Sequence, residues 1–389
     1  QMGDDSHAED VFQQSGGNPL LTVELARAAA AHSGFVPGSL KELVGDRLAR
    51  LSSDSADLLR WAAILGTSFE VSRLASLVSL ELEPLMNALS ELERHALLEE
   101  AVSHGGGAYA FRHALVHRVV YSGLSEPRRR LMHLRVAQLL ENQSDPDGSL
   151  SVELAQHASL GGDAGAAARA CVMAANRCLL VFAGAEAYVH ARRGLHYAEA
   201  LSDPERLRLR LELLRLKVLA RAPEDRRMEA VRIEALAEAA LDAGCPEHAR
   251  LGFSTVSYLR WETGAVGDAR RSSLRAEFAS RGADDQSRLL GVAEAARCLV
   301  VLEKDLPEAE ALLLEARAVS ERSGHRSWAA CDGLGLLRMH SGDLDEAEAA
   351  FKDAWALARQ AREHHAEVYS LEHLVQLSLL RAEQERAAS

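Results

Sequence analysis

The most informative segment for the fold is Cys331–Arg359, with the sequence CDGLGLLRMHSGDLDEAEAAFKDAWALAR. Two runs with apolar residues at helical spacing flank a turn at Gly342-Asp343, where the glycine lets the chain reverse. Gly335 and Ala347 are small residues at positions where two helices would cross closely, and Phe351 is a large residue that would fill the groove between them. The stretch therefore predicts a helix–turn–helix hairpin that must bury its apolar face against a neighbour.

Two further segments share this pattern. They are Gly264–Ala269, followed by Ala276, and Asp305–Ala309, followed by Leu313 and Ala316. The anchoring alanines Ala269, Ala309 and Ala347 lie 40 and then 38 residues apart. The pattern resembles the tetratricopeptide repeat of about 34 residues, so residues 149–389 are predicted to form a tetratricopeptide-like right-handed helical solenoid.

The composition is that of a mainly α protein. The 389 residues are 48% hydrophobic and only 5% aromatic, and the apolar residues are mostly Ala, Leu and Val. The formal net charge of −13 gives a surface that repels phosphate backbones, which argues against nucleic-acid binding by the chain as a whole. No apolar run approaches the ~20 residues that span a bilayer, so no membrane partner is predicted.

The five cysteines indicate a reducing compartment. They are odd in number, lie singly in apolar helical stretches and form no CxxC pair, so neither a zinc ribbon nor a thioredoxin-type site is predicted. The acidic first residues do not resemble a signal peptide, and we expect a cytoplasmic protein. The chain begins with Gln1 rather than Met, which suggests a fragment, a trimmed start or a processed one.

Two zones precede the repeats. Residues 1–34 contain an acidic lead-in, a Gly-Gly-Asn-Pro turn at 16–19 and an amphipathic helix. Residues 35–143 contain four helical segments and then a hairpin signal, in which Leu97–Val102 and Tyr109–Phe111 flank a glycine-rich turn. Helices followed by a β-hairpin in this order predict a winged-helix domain. Its fourth helix is acidic, which argues against DNA readout by that helix.

Motifs in these zones resemble the large bacterial STAND regulators, which are signal-transducing ATPases with numerous domains. The matching segments are Gly16–Leu20 with Val23–Leu25, Val36–Leu40 with Arg47-Leu48, and Phe111–Val116 with Val120-Tyr121. The resemblance is to the region that follows the nucleotide-binding core, in a family that includes LuxR-type regulators with tetratricopeptide sensors. It implies that residues 1–34 are the C-terminal end of the ATPase and lid region.

The resemblance also implies positions that sense the nucleotide. In the family the Gly-x-Pro turn packs its proline near the adenine ring, which assigns Pro19 and Asn18 to cofactor binding; an ordinary helix-start turn is the alternative. A histidine of the family's winged helix reaches the ADP phosphates, and His113 matches it, with Arg112 as a helper. The related Met-His-Asp pattern reads Arg-His-Ala here, so a structural histidine stays open. His117 follows four residues later, but no third ligand is evident and no metal site is predicted.

The sequence contains no phosphate-binding loop of the P-loop type. None of the four lysines, Lys41, Lys217, Lys304 and Lys352, follows a glycine, so no G-x-x-x-x-G-K-[ST] motif is present. No cofactor is predicted in this chain, although the resemblance implies ATP or ADP for the intact family protein. We expect that the chain is not an enzyme, and that alone it neither hydrolyses ATP nor binds promoters.

The sequence therefore predicts a regulatory and sensor fragment of an ATP-dependent transcriptional regulator. The predicted partners are a protein or small-molecule inducer on the concave face of the repeats and the P-loop ATPase domain of the intact protein. DNA would be bound only through a module absent from this chain, and oligomerisation stays open. The alternatives are a stand-alone tetratricopeptide scaffold for protein–protein interaction and the regulatory region of a nucleotide-dependent signalling enzyme.

The sequence also contains a basic run, Arg128–Arg130. It is predicted to be the solvated face of a helix with Leu131, Leu134 and Leu139 inside.

Overall fold

A computed structural model describes residues 45, 47–101, 107–143, 145 and 148–388. The chain divides into two compact units. Unit 1 comprises Gln1–Ser144 and Gln156–Asp163, and unit 2 comprises Asp145–Ala155 and Ala164–Ser389. The lid segment predicted at residues 1–34 lies outside the described residues.

Unit 1 is built from short helices and a small sheet. Its elements are α1 (Ser53–Leu65), β1 (Ser68–Glu70), α2 (Val71–Leu77), α3 (Leu82–Arg94), β2 (Leu98–Ala101), β3 (Ala108–Phe111), α4 (Ala114–Gly123) and α5 (Glu126–Glu141). A further helix, α6 (Ser151–Gly161), is divided between the units, and its residues from Gln156 onward belong to unit 1. Leucines of α1 and α3 and Phe111 form the core of this unit.

The sheet of unit 1 has three antiparallel strands in the order β1-β3-β2. Strands β2 and β3 form the hairpin that the sequence predicts, with Leu98 opposite Phe111 and Ala101 opposite Ala108. Strand β1 pairs with the other edge of β3. It was not predicted, because its three residues are too few to show the alternation that marks a strand.

One carboxylate ties the start of α1 to α3. Ser52 caps α1 by accepting a hydrogen bond from the Ser55 amide at 3.3 Å, and serine is a favoured residue at this position. Glu91 of α3 accepts a hydrogen bond from the Ser52 amide at 3.1 Å and further bonds from both serine hydroxyls. These bonds, those from the Ser52 side chain first, lower the pKa of Glu91 to about 2. Glu91 thus serves the packing of two helices.

Unit 2 is a succession of helices that pack side by side in chain order. They are α7 (Ala164–Leu180), α8 (Gly184–Ala198), α9 (Glu205–Ala220), α10 (Arg226–Asp242), α11 (Pro246–Glu262), α12 (Val266–Ser280), α13 (Asp285–Val301), α14 (Leu306–Ser323), α15 (Trp328–Ser341), α16 (Leu344–Ala361) and α17 (His364–Ala388). The prediction of a mainly helical chain with a helical repeat is confirmed. Among the described helices, none has the length and apolar character that a membrane crossing requires.

The helices of unit 2 form two rows. Helices α7, α9, α11, α13, α15 and α17 each also pack against the next member of their own row, and we call them the inner helices. Helices α8, α10, α12, α14 and α16, the outer helices, have no comparable packing with one another in the described residues. Because the inner row is the closer-packed one, it lies on the concave side of the coil.

Small residues lie where these helices cross. A Cβ atom at Gly335 of α15 would lie 2.5 Å from Cε1 of Phe351 on α16, which is closer than side chains approach in real structures. Phe351 is fully buried, as are the anchoring alanines Ala269, Ala309 and Ala347. The close helix crossing and the large residue that fills the groove are therefore both confirmed for Cys331–Arg359.

Candidate functional site

Two of the four predicted site residues have a described position. Arg112 and His113 follow β3 directly, and His113 is the N-cap residue of α4, with an extended backbone. Asn18 and Pro19 lie outside the described residues, so their contact with an adenine ring stays a prediction. The structure thus places the predicted phosphate-facing pair at the junction of the hairpin and α4.

His113 is half-buried beside the exposed Arg112. Burial lowers the pKa of His113, the positive charge of Arg112 lowers it further, and Glu99 acts in the opposite direction. The Arg112 Nε atom lies 3.9 Å from Glu99 Oε2, so the two exposed side chains pair only loosely. A neutral imidazole next to an exposed guanidinium has donors for a phosphate oxygen, which is compatible with the predicted role.

His117 is engaged inside unit 1. Its Nε2 atom donates a hydrogen bond to the Ala63 carbonyl at 2.9 Å, since a carbonyl oxygen can only accept. The ring packs edge-on to Phe111 and stacks on Tyr121, at centroid distances of 5.1 and 6.0 Å. In the described part of the chain, no group of three or more histidine, cysteine or acidic side chains could hold a metal ion.

The buried face of helix α5 is not the one that the sequence predicts, which contained Leu131, Leu134 and Leu139. Leu131 is 68% exposed, and the buried residues are Met132, His133, Val136, Ala137 and Leu140. Arg129 packs over the ring of Tyr121 at 5.3 Å. The predicted phase of the helix was wrong, because the sequence offers two apolar stripes and the buried one contains a histidine that reads as polar.

Unit 1 contains a hydrogen-bonded row of side chains, Tyr121, His133 and His157, that the sequence did not predict. The Tyr121 hydroxyl lies 2.9 Å from His133 Nε2, and His133 Nδ1 lies 2.9 Å from His157 Nδ1. The two histidines are 3% and 4% exposed. One of the facing Nδ1 atoms must carry a hydrogen and the other a lone pair, so the contact requires at least one neutral imidazole. The only signal in the sequence is that His133 shares a helical stripe with Val136 and Leu140.

A second buried network joins the inner helices of unit 2. Asp332 of α15 is fully buried, and its Oδ2 atom accepts a hydrogen bond from Arg297 Nε of α13 at 2.6 Å. Its Oδ1 atom accepts one from His373 Nδ1 of α17 at 2.9 Å. Burial would raise the pKa of Asp332, but the His373 hydrogen bond and the Arg297 charge hold it below its usual value. One carboxylate thus connects three successive inner helices.

The Arg297 guanidinium lies between two aromatic rings. Its central carbon is 5.3 Å from the ring centroid of Trp328 and 5.3 Å from that of Tyr369. The His365 ring meets both of these rings edge-on, at centroid distances of 6.1 and 6.4 Å. Trp328 Nε1 donates a hydrogen bond to Glu363 at 2.8 Å. The guanidinium is therefore oriented by cation–π stacking as well as by its ion pair.

The inner helices next to the Arg297–Asp332 network, α9 and α11, carry further charged and aromatic side chains. Arg250 of α11 lies 3.3 Å from a carboxylate oxygen of Glu294 on α13, and Ser254 donates to the same carboxylate. Arg215 of α9 is half-buried and has no hydrogen-bond or ion-pair partner among the described residues. Tyr258 of α11 is 40% exposed. The polar and aromatic side chains thus extend along the inner row from α9 to α17.

The first and last inner helices of unit 2, α7 and α17, are in contact at their ends. The ring of His364, at the start of α17, stacks on that of Phe182 with a centroid distance of 4.4 Å. His364 Nε2 also donates a hydrogen bond to the Leu180 carbonyl, at the end of α7, at 3.0 Å. The first and last inner helices therefore meet at their ends, which brings the side chains of distant repeats to one region of the inner face.

Comparison with known proteins yields structural likenesses alone. No family model and no curated protein matches the chain. Among solved structures it is similar to a STAND protein with a tetratricopeptide repeat sensor from Pyrococcus horikoshii, with 14% identity, a TM-score of 0.45, and coverage of 94% of this chain and 58% of that one. It is also similar to yeast Tom70, with 13% identity, a TM-score of 0.30, and coverage of 98% and 83%. The chain thus spans 58% of the length of the STAND protein, and neither likeness assigns a function.

Proposed function

We propose that this chain is the regulatory and sensor part of a STAND-type, ATP-dependent transcriptional regulator, and that unit 2 binds an inducer or partner on its inner face. The network around Arg297 and Asp332 supports this proposal, because it arranges aromatic and guanidinium groups across successive inner helices. Such groups are the usual anchors of binding interfaces. A repeat that served only as a spacer would not need a half-exposed Tyr258, or an Arg215 without a partner among the described residues, on its inner helices.

Unit 1 is, in this proposal, a winged-helix domain that responds to the nucleotide state. Its support is the order of three helices followed by the β2–β3 hairpin, within a three-stranded antiparallel sheet. Arg112 and His113, directly after the hairpin, would face the ADP phosphates. DNA readout through α3 is disfavoured, because Glu83, Glu91 and Glu93 would repel a phosphate backbone.

The nucleotide itself would be held by another domain. The sequence contains no Gly-Lys pair, so a P-loop ATPase domain of the intact protein would grip the phosphates, while Asn18 and Pro19 would contact the adenine from this chain. The chain is then a non-enzymatic, cytoplasmic regulator of the LuxR type, which reaches DNA only through a separate module.

Site-specific photo-crosslinking tests the binding face. We expect p-benzoylphenylalanine at Tyr258 to form a discrete adduct in cells of the source organism, because this side chain is 40% exposed on the inner helix α11. The matched control is the same amino acid at Phe278, which is 59% exposed on the outer helix α12. An adduct from position 278 with none from position 258 would place the partner on the outer helices and contradict the proposal.

A further inference from the structure

The guanidinium of Arg297 has donors that the protein does not use. Its Nε atom donates a hydrogen bond to Asp332, and among the described residues its two Nη groups have no hydrogen-bond acceptor. The side chain is 23% exposed, so water reaches these groups. A fork of two NH₂ groups, held still by an ion pair and by stacking, is pre-organised for a planar anion.

The charged side chains around this fork are three cations and three carboxylates: Arg215, Arg250 and Arg297, with Asp332, Glu294 and Glu363. Asp332 is occupied by Arg297 and His373, and Glu294 by Arg250 and Ser254. Arg215 and Arg297 both lie within electrostatic range of His365, whose pKa their charges lower after the larger effect of burial. Glu363 and Glu294 act on His365 in the opposite direction. Of these three cations, Arg215 is the one without a hydrogen-bond or ion-pair partner in the described residues.

We propose that the inner face of unit 2 binds a carboxylate, with the two Nη groups of Arg297 as its bidentate donors and Arg215 as its second cation. This inference rests on the proposed function and specifies the chemistry of the ligand. Tyr258 is 40% exposed on the adjacent inner helix, and Tyr369 is half-buried beside Arg297. These rings offer a surface for a flat or apolar group that carries the carboxylate.

The local charge favours a singly charged ligand over a phosphate dianion. Glu294 and Glu363 lie close enough to His365 to affect its pKa, so both would repel a second negative charge at the same place. A carboxylate adds one negative charge to a region of three cations and three carboxylates, whereas a phosphate dianion would add two. A small organic acid and the carboxyl group of a peptide share this chemistry.

Calorimetric titration of the full chain with 1-naphthoate tests the proposal. We expect saturable binding that is about tenfold tighter than that of uncharged 1-naphthamide, because charge-assisted hydrogen bonds to the carboxylate are lost in the amide. Arg297→Lys keeps a cation beside Asp332 but removes the fork, and Arg215→Gln removes the unpaired charge. Each is expected to weaken naphthoate binding by about tenfold and to leave naphthamide binding unchanged.

The control variant is Arg210→Gln, on the same helix as Arg215 and about 140° around its axis. It is expected to bind naphthoate like the unchanged chain, and circular dichroism establishes that all three variants are folded. Equal affinity for naphthoate and naphthamide, or equal effects of Arg210→Gln and Arg215→Gln, would overturn the proposal. Tighter binding of inorganic phosphate than of naphthoate would overturn the carboxylate assignment.

A second titration distinguishes the source of the carboxylate. N-acetyl-Ala-Ala-Phe with a free carboxyl terminus, compared with its amide, reports whether a peptide terminus fits as well as a small acid. If neither naphthoate nor the peptide acid binds, the carboxylate inference is wrong. The proposed function is then still judged separately, by the crosslinks from positions 258 and 278.

Discussion

Replacing Asp332 with alanine is expected to lower the free energy of unfolding by about 3–5 kcal/mol, because removing one member of a buried ion pair leaves its partners without an opposing charge. Asp332 is fully buried, and it accepts hydrogen bonds from Arg297 at 2.6 Å and from His373 at 2.9 Å. The loss would also free the guanidinium that stacks between Trp328 and Tyr369. Urea unfolding followed by circular dichroism measures the effect.

The matched control for this change is Asp345→Ala in the same unit. The Asp345 side chain is 95% exposed and pairs with Arg381 at 2.6 Å. An exposed pair of this kind contributes about 0–1 kcal/mol, because water screens the charges. If the two substitutions lowered the unfolding midpoint equally, the network of Asp332 would not hold the inner helices together.

Acidification from pH 6.5 to pH 4 is expected to destabilise unit 1 through His133 and His157. Burial, with smaller effects of nearby positive groups, lowers the pKa of each imidazole from 6.5 to about 4. In this pH window the unfolded chain binds more protons than the folded one, so stability falls as the pH falls. Each histidine contributes about 3 kcal/mol to this loss by linkage, and the pair somewhat less than twice that because the two sites are coupled.

Hydrogen exchange resolved by peptide mass spectrometry measures this effect in helices α4 and α5. The double variant His133→Leu with His157→Leu is expected to lose most of the pH dependence of protection between pH 6.5 and 4. His95→Gln, at the end of α3 and outside the cluster, is the control and should retain it. Unchanged pH dependence in the double variant would show that other groups control the acid response of unit 1.

The helical repeat could be predicted from sequence because its signals are local. Gly335 and Phe351 lie 16 residues apart, and the alanines recur at a nearly constant spacing, so a single stretch contains both sides of each helix contact. The N-cap at Ser52 and the β2–β3 hairpin were predictable for the same reason, since each depends on a few neighbouring residues.

The candidate site could not be predicted in the same way. Arg297, Asp332 and His373 come from three different inner helices, and each alone reads as a polar residue in an amphipathic pattern. His364 meets Leu180 across 184 residues, a contact with no local signal. The resemblance to STAND regulators pointed instead to Asn18, Pro19, Arg112 and His113, whose roles toward a nucleotide stay predictions.

The contact between His133 and His157 in unit 1 could not be predicted for a related reason. The buried stripe of α5 contains His133, and a histidine counts as polar in a periodicity argument even where it is buried and hydrogen-bonded. Its partner His157 lies on another helix, so nothing in the sequence around residue 133 indicates the contact.

The proposed function requires that an inducer or partner bind on the inner face of unit 2. Amide hydrogen exchange, measured with and without the molecule that crosslinks to position 258, tests this most directly. We expect binding to slow exchange in the inner helices α9, α11, α13 and α15 and to leave the outer helices α10, α12 and α14 unchanged. Protection of the outer helices, or protection confined to unit 1, would contradict it.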